Sequence, residues 1–339
     1  MEHKLICANN LTIGYHSRPA DRAVMSGLSF SLDGGQMACI VGANGIGKST
    51  LLRTVIGAQP ALQGSVRIRG VDVGRMHARS LSRLVSIVLT HKTMTGGLTA
   101  AEVVALGRTP HTGFWGRLTS ADRRIVERSM ALAGIDRKAA SPMAELSDGE
   151  RQKVMIAKAL AQECPVMILD EPTAFLDTAG RIETMQLLHR LTRTERKAIM
   201  LTTHDVGLAT RLADRLWLMT PGGMTCGVPE DLIARGALDS LTAGTSIRFD
   251  AASGTFETTP DIGAGISLHC PDATLKRLIM TALSRNDIDR AGTDIRIEAQ
   301  SATSISVLTD GQRHQCTSIG RMLDCLSAQA AADGEPEDF

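Results

Sequence analysis

The sequence predicts an α/β protein, a mainly parallel sheet covered by helices, followed by a small α+β unit. Three observations carry this. Apolar runs of strand length alternate with helical periods through the first two thirds of the chain. A glycine-rich loop ending in Lys48 and Ser49 stands between one such run and the next helix. After about Gly236 the alternation stops and shorter elements with hairpin signals take over.

Taken in order, residues 37–41 (MACIV) read as a buried strand and 49–57 as the helix after it. Short strands follow at 66–68 and 84–89, and helical periods at 100–106, 120–133, 149–162 and 180–191. Residues 166–169 and 198–203 are two further buried strands, each preceded by a helix. Such alternation builds a parallel sheet whose ligands bind beyond the carboxyl ends of the strands. Beyond Gly236, residues 246–250 and 255–258 flank Ala-Ala-Ser-Gly, a hairpin signal. Strands at 266–269, 294–298 and 304–308, with helices at 273–284 and 318–329, complete a small α+β unit. The expected division is a first domain over 1–240, an accessory α+β domain over 245–330, and an acidic, unstructured tail over 331–339.

Composition narrows the function. The 339 residues are 43% hydrophobic and 22% charged, an ordinary folded balance. Lys+Arg 37 against Asp+Glu 36 gives a net charge of +1, without the basic field of a nucleic-acid binder. No run approaches the roughly 18 apolar residues of a membrane span, and the N-terminus lacks a signal-peptide core, so a soluble cytoplasmic chain is expected. The seven cysteines are scattered and never spaced C-x-x-C, which predicts free thiols.

Gly42-Ala-Asn44-Gly45-Ile-Gly47-Lys48-Ser49 satisfies G-x-x-x-x-G-K-[ST], after a buried strand and before a helix. Glycines let successive backbone N–H groups converge on phosphate oxygens, and the helix start adds its positive dipole end. Lys48 then neutralises the β- and γ-phosphates while Ser49 binds Mg²⁺. A second run, Val-Met-Ile-Leu-Asp170-Glu171, is an apolar strand ending in two carboxylates. Asp170 suits Mg²⁺ or its waters, and Glu171 suits activation of a hydrolytic water, although acids after a buried strand also simply face solvent. A third run, Leu146-Ser147-Asp148-Gly149-Glu150, places Glu150 three residues after Ser147. That spacing is a capping box, and the same helix start can offer N–H groups to an anion.

These three runs, in this order, resemble the Walker A, signature and Walker B motifs of ABC-type ATPases. Leu176-Asp177 resembles the D-loop, His204 the switch histidine, and Tyr15 the aromatic that stacks on adenine. The resemblance covers about residues 1–235, and Ala105-Leu-Gly-Arg-Thr-Pro-His111 is similar to the subfamily serving iron-siderophore, haem and cobalamin import. It implies a P-loop ATPase of ABC type, with N-terminal antiparallel strands and a helical signature subdomain. It implies ATP sandwiched in a head-to-tail homodimer, between Gly42, Asn44, Gly45, Gly47, Lys48 and Ser49 of one copy and Ser147 and Gly149 of the other, with Tyr15, Thr50 and Asp177 also binding nucleotide. It implies Glu171 as general base, His204 as γ-phosphate sensor, and Mg²⁺ on Ser49 and Asp170. Integral membrane permease subunits, and through them a substrate-binding protein, are the implied partners, with this chain peripheral on the inner face of the membrane. Two departures stand out. Asp148 and Glu150 replace the family's Gly and Gln, and Thr90 occupies the Q-loop glutamine position, where only a bridging water could carry it to Mg²⁺. A soluble ABC ATPase without a permease, and an ATPase with a solute-sensing C-terminal domain, are the alternative readings.

Overall fold

The computed structural model describes residues 4–18, 20–89, 97–113, 116–251, 253–258, 265–286, 288, 295–309 and 311–332. They divide into two compact units, Met1–Glu257 and Thr258–Phe339.

The first unit opens with β1 (Lys4–Tyr15), β2 (Arg22–Asp33) and β3 (Met37–Gly42), followed by helix α1 (Lys48–Val55). Strands β4 (Gln63–Ile68) and β5 (Val71–Asp72), the short helix α2 (Ala78–Leu81) and β6 (Val85–Val88) come next. Three helices follow, α3 (Ala100–Ala105), α4 (Ser120–Ala133) and α5 (Asp148–Ala161). The chain then runs β7 (Val166–Leu169), α6 (Thr178–Glu195), β8 (Ala198–Thr202) and α7 (Val206–Leu212). Strands β9 (Arg215–Thr220) and β10 (Gly223–Gly227), helix α8 (Pro229–Ala234) and hairpin strands β11 (Ile247–Asp250) and β12 (Thr255–Thr258) end it.

Two sheets form. An antiparallel sheet has the order β2-β1-β4-β5, and a six-stranded sheet has the order β10-β9-β3-β8-β7-β6. In the larger sheet every neighbouring pair is parallel except β10 with β9. Its central strands are buried on both faces because their residues alternate between two cores. Met37, Cys39, Val41, Met167, Leu169, Ile199 and Leu201 pack on the helical side, against α3 to α7. Ala38, Ile40, Val166, Ile168, Ala198 and Met200 pack on the other side, against α1 and the antiparallel sheet. A parallel sheet between two apolar layers needs such continuous apolar runs, which is why MACIV, VMIL and AIML were readable as strands.

Capping boxes start each of the three helices between β6 and β7, at Thr99–Glu102, Thr119–Asp122 and Ser147–Glu150. The stretch from Ala105 to His111 locks them together. A Cβ on Gly107 would sit 2.2 Å from the Lys158 carbonyl oxygen, so only glycine lets this turn pass over α5. Buried Arg108 donates to Asp122 at 2.9 Å, to the Ala161 carbonyl at 2.7 Å and to Glu163 at 2.7 Å. Hydrogen bonds from Thr119, then from Arg108, hold the Asp122 carboxyl down at about 2.

One boundary differs from the sequence reading. The hairpin β11–β12 belongs to the compact unit Met1–Glu257, not to a domain beginning at residue 245. Phe249 packs against the helical-side core, its N–H donates to Asp239 at 2.9 Å, and Arg211 Nη2 donates to the Ser253 carbonyl at 2.9 Å.

The second unit comprises β13 (Ile266–His269), α9 (Ala273–Arg285), β14 (Ile295–Ser301), β15 (Ser304–Thr309), β16 (Gln312–Cys316) and α10 (Ile319–Ala332). The sheet order is β13-β14-β15-β16, with β13 parallel to β14 and the remaining pairs antiparallel. Its own core contains Leu275, Ile279 and Leu283 of α9, Ile295 and Ile297 of β14, and Met322 and Leu326 of α10. Residues 333–339 of the expected tail lie outside the described residues.

Candidate functional site

Strands β7, β8 and β3 are parallel neighbours, so their carboxyl ends share one edge of the sheet. Register aligns Leu169 with Leu201, and Cys39 and Ile40 with Leu201 and Thr202. The residues just past those ends are therefore the loop 42–47, Asp170 with Glu171, and Thr203 with His204. A parallel sheet thus gathers three chemically distinct pieces, of which the loop lies more than a hundred residues from the other two in the chain.

The loop wraps the start of α1. Gly47 caps that helix at φ 114°, and a Cβ there would meet Val24 Cγ1 at 2.6 Å, so the position needs glycine for both reasons. Lys48 is buried, and its ammonium donates to the carbonyls of Gly42 at 2.8 Å and Ala43 at 3.1 Å. Burial pushes its pKa down, while Glu171 and then Asp170 pull it back up. Both carboxylates therefore act electrostatically on the loop's cation. Ser49 and Thr50 lie in the first turn of α1, and the Thr50 hydroxyl bonds the Tyr15 hydroxyl at 3.1 Å. Tyr15, at the end of β1, keeps 45% of its surface exposed, beside the loop.

The second half of the site hangs on a residue that motif reading missed. Thr202, fully buried at the end of β8, donates its hydroxyl to Asp170 Oδ1 at 2.7 Å. The Thr202 hydroxyl oxygen in turn accepts the Glu171 N–H at 2.9 Å. Glu171 has φ 47°, an uncommon conformation for a side-chain-bearing residue, so the turn that aims it is held by that hydroxyl. Its Oε1 lies 2.7 Å from His204 Nε2. A threonine at the end of a buried apolar strand has only one signal in sequence, being polar where its neighbours are not.

Ser147, Gly149 and Asp177 occupy a different place. Ser147 caps α5, accepting from the Glu150 N–H at 3.2 Å while Glu150 accepts the Ser147 N–H at 2.9 Å. Glu150 thus performs the return half of the capping box. The Ser147 N–H and then Lys138, at 3.2 Å, hold its carboxyl below the usual range. Asp177 caps α6 by accepting from the Gly180 N–H at 2.8 Å. Ser147, Gly149, Phe175 and Asp177 line one cleft, to which no residue of the loop 42–50 contributes. Thr90 lies outside the described residues.

The arrangement suits a nucleoside triphosphate. Loop amides and Lys48 would receive phosphate oxygens, with the exposed Tyr15 ring beside them. Ser49 and Asp170 offer the hard oxygen donors that Mg²⁺ takes alongside phosphate and water.

Comparison with known proteins identifies the arrangement. Residues 25–174 match the ABC transporter family. An uncharacterized ABC transporter ATP-binding protein of Methanocaldococcus jannaschii is 36% identical over 254 residues, covering 75% of this chain and 86% of that one. A cobalamin import ATP-binding protein of Halobacterium salinarum is 35% identical, covering 71% of this chain and 61% of that one. An iron(3+)-hydroxamate import ATP-binding protein of Bacillus subtilis is 34% identical, covering 64% of this chain and 79% of that one. Among solved structures, a dimeric ATP-binding cassette in a post-hydrolysis state with ADP and Pi is 25% identical, with a TM-score of 0.57 over 66% of this chain and 97% of that one. The chain therefore belongs to the ATP-binding proteins of the ABC transporter family, a family of ATPases.

Proposed function

We propose that this chain energises import of an iron chelate, haem or cobalamin-type substrate through a separate membrane permease. It would do so as a homodimer that sandwiches ATP. The observation that carries the dimer is the division of the site. Lys48, Glu171 and His204 share one sheet edge, while Ser147 and Gly149 line a cleft without the loop. A second copy, turned head to tail, supplies Ser147, Gly149 and Asp177 to the loop of the first. The two-fold axis repeats the arrangement, giving two equivalent sites. The names of the relatives support import of a metal chelate or cobalamin.

The chemistry follows from the residues. Lys48 donates to the carbonyls of Gly42 and Ala43. On binding, it turns to the β- and γ-phosphates, and the loop N–H groups complete the cradle. Ser49 and Asp170 would hold Mg²⁺, which would supply positive charge against the phosphate oxygens. Glu171 takes a proton from the attacking water, whose oxygen bonds to the γ-phosphorus as the bond to the leaving ADP oxygen breaks. His204 orients Glu171 and meets the γ-phosphoryl group. Tyr15 stacks on adenine, contributing about 1–3 kcal/mol.

Glu171→Gln tests the assignment. It keeps the shape but removes the negative charge and the base, so turnover should fall about 100-fold or more while ATP still binds. Wild-type turnover in Glu171→Gln would remove Glu171 as base. Coupling is tested by co-purification with a polytopic membrane protein that stimulates the ATPase. The same experiment separates this reading from a permease-free ATPase.

A further inference from the structure

Beyond the last family motif, hairpin β11–β12 reaches back to the hydrolytic residues. A cleft of about 510 Å³ has Glu171, His204 and Gly207 on one side and Gly254, Thr255 and Phe256 on the other. The hairpin tip is gripped by α7, the helix that begins immediately after His204 and Asp205. Arg211 Nη2 donates to the Ser253 carbonyl at 2.9 Å. In the first turn of the same helix, a Cβ on Gly207 would lie 2.7 Å from the Gly254 carbonyl oxygen. The tip therefore rests directly on the backbone of α7, at a spot only glycine leaves open.

The hairpin is stiff enough to act as a brace. Its tip is closed by the Gly254 N–H on the Asp250 carbonyl at 2.8 Å and the Ser253 N–H on the Asp250 carboxylate at 2.9 Å. Phe249 and Phe256 pack edge to face, with ring centroids 5.3 Å apart. Phe249 in turn is anchored through its N–H to Asp239 at 2.9 Å. On the α7 side, Asp205 caps the helix through the Leu208 N–H at 2.9 Å and donates its own N–H to the Thr203 hydroxyl at 3.0 Å. His204 sits between these two anchored residues, so any shift of the start of α7 moves its ring relative to Glu171.

We infer that hairpin β11–β12 is a positioning element for ATP hydrolysis. Arg211 clamps the tip, Gly207 seats it, and together they hold the turn that carries His204 against Glu171. Arg211 and Gly207 are positioning residues and do not touch the reacting atoms. The inference rests on the assignment of Glu171 and His204 to hydrolysis made above.

The test uses the full chain with four single variants and steady-state ATPase kinetics. Gly207→Ala gains helix propensity but wedges the tip away, so it should still fold, with a modest loss of thermal stability at most. Its kcat should fall about tenfold with KM for ATP within about twofold, the pattern of a misplaced catalytic group. Arg211→Ala should do the same by releasing the clamp, and Arg211→Lys, which can still donate to Ser253, should recover part of the loss. Glu171→Gln and the Gly207 and Arg211 variants are measured side by side. Wild-type kcat in Gly207→Ala and Arg211→Ala, with Glu171→Gln inactive, overturns the positioning role and leaves the assignment standing. A raised KM at unchanged kcat also overturns it. Wild-type turnover in Glu171→Gln overturns the assignment itself.

Discussion

Thr202 shows how much of the catalytic geometry rests on one hydroxyl. It donates to Asp170 and accepts from the Glu171 N–H, so it joins the metal-side carboxylate to the backbone that aims the base. Thr202→Val keeps the shape, removes both bonds and leaves a buried N–H without its acceptor. We expect kcat to fall about tenfold, with Thr202→Ser restoring most of it, checked by steady-state ATPase assays. Lys48 makes the complementary case. Its carbonyl partners keep a buried ammonium satisfied without phosphate, so Lys48→Ala should fold normally and lose ATP affinity by about tenfold or more, read by equilibrium nucleotide binding. Unchanged affinity would mean that the cradle works through its amides alone.

At the scale of elements, the helical layer depends on Arg108, which ties the α3–α4 connection to the start of α4 and the end of α5. Asp122 is its buried partner and also the returning half of a capping box. Removing the carboxylate with Asp122→Ala leaves Arg108 short of a partner and should cost about 3 kcal/mol, measured by urea unfolding. The pH dependence has a definite sign. With a folded pKa of about 2, below the ordinary carboxylate value near 4, this contribution is present above about pH 4 and lost as pH falls towards 2. The Asp122→Ala chain should therefore lose less stability than the native one across that interval.

At the scale of the molecule, Ser147 and Gly149 line a cleft without the loop 42–50, and in the proposed dimer association becomes part of catalysis. Glu171→Gln, unable to complete hydrolysis, should accumulate as an ATP-dependent dimer with twice the chain mass in light scattering. Ser147→Arg in the same background should return it to a monomer, because a bulky cation replaces a small donor where the partner's phosphate would lie. A dimer that persists without ATP would place the association elsewhere on the surface. Among the described residues no helix is long and apolar enough to cross a membrane.

Much of this was legible because motif residues sit at fixed offsets from buried apolar runs. MACIV, VMIL and AIML announce the central strands, and the residues just after them are the ones proposed to act. Elements with a mixed or polar pattern were harder. Strand β16, Gln-Arg-His-Gln-Cys, is a sheet edge with little apolar signal, and β9 follows the last motif without one of its own. The hairpin's sequence signal was visible, yet its allegiance to the first unit was not, since hairpin propensity says nothing about the surface the hairpin packs on.

The sequence by itself determined the phosphate loop, the order of the motifs and the candidate for the base, because each needs particular residue types at short range. Tertiary structure alone decided that Thr202 holds the turn of Glu171, that Ser147 and Gly149 stand apart from the loop, and that a hairpin past the motifs braces the start of α7. These depend on contacts between residues far apart in the chain, and no local pattern records which surfaces meet.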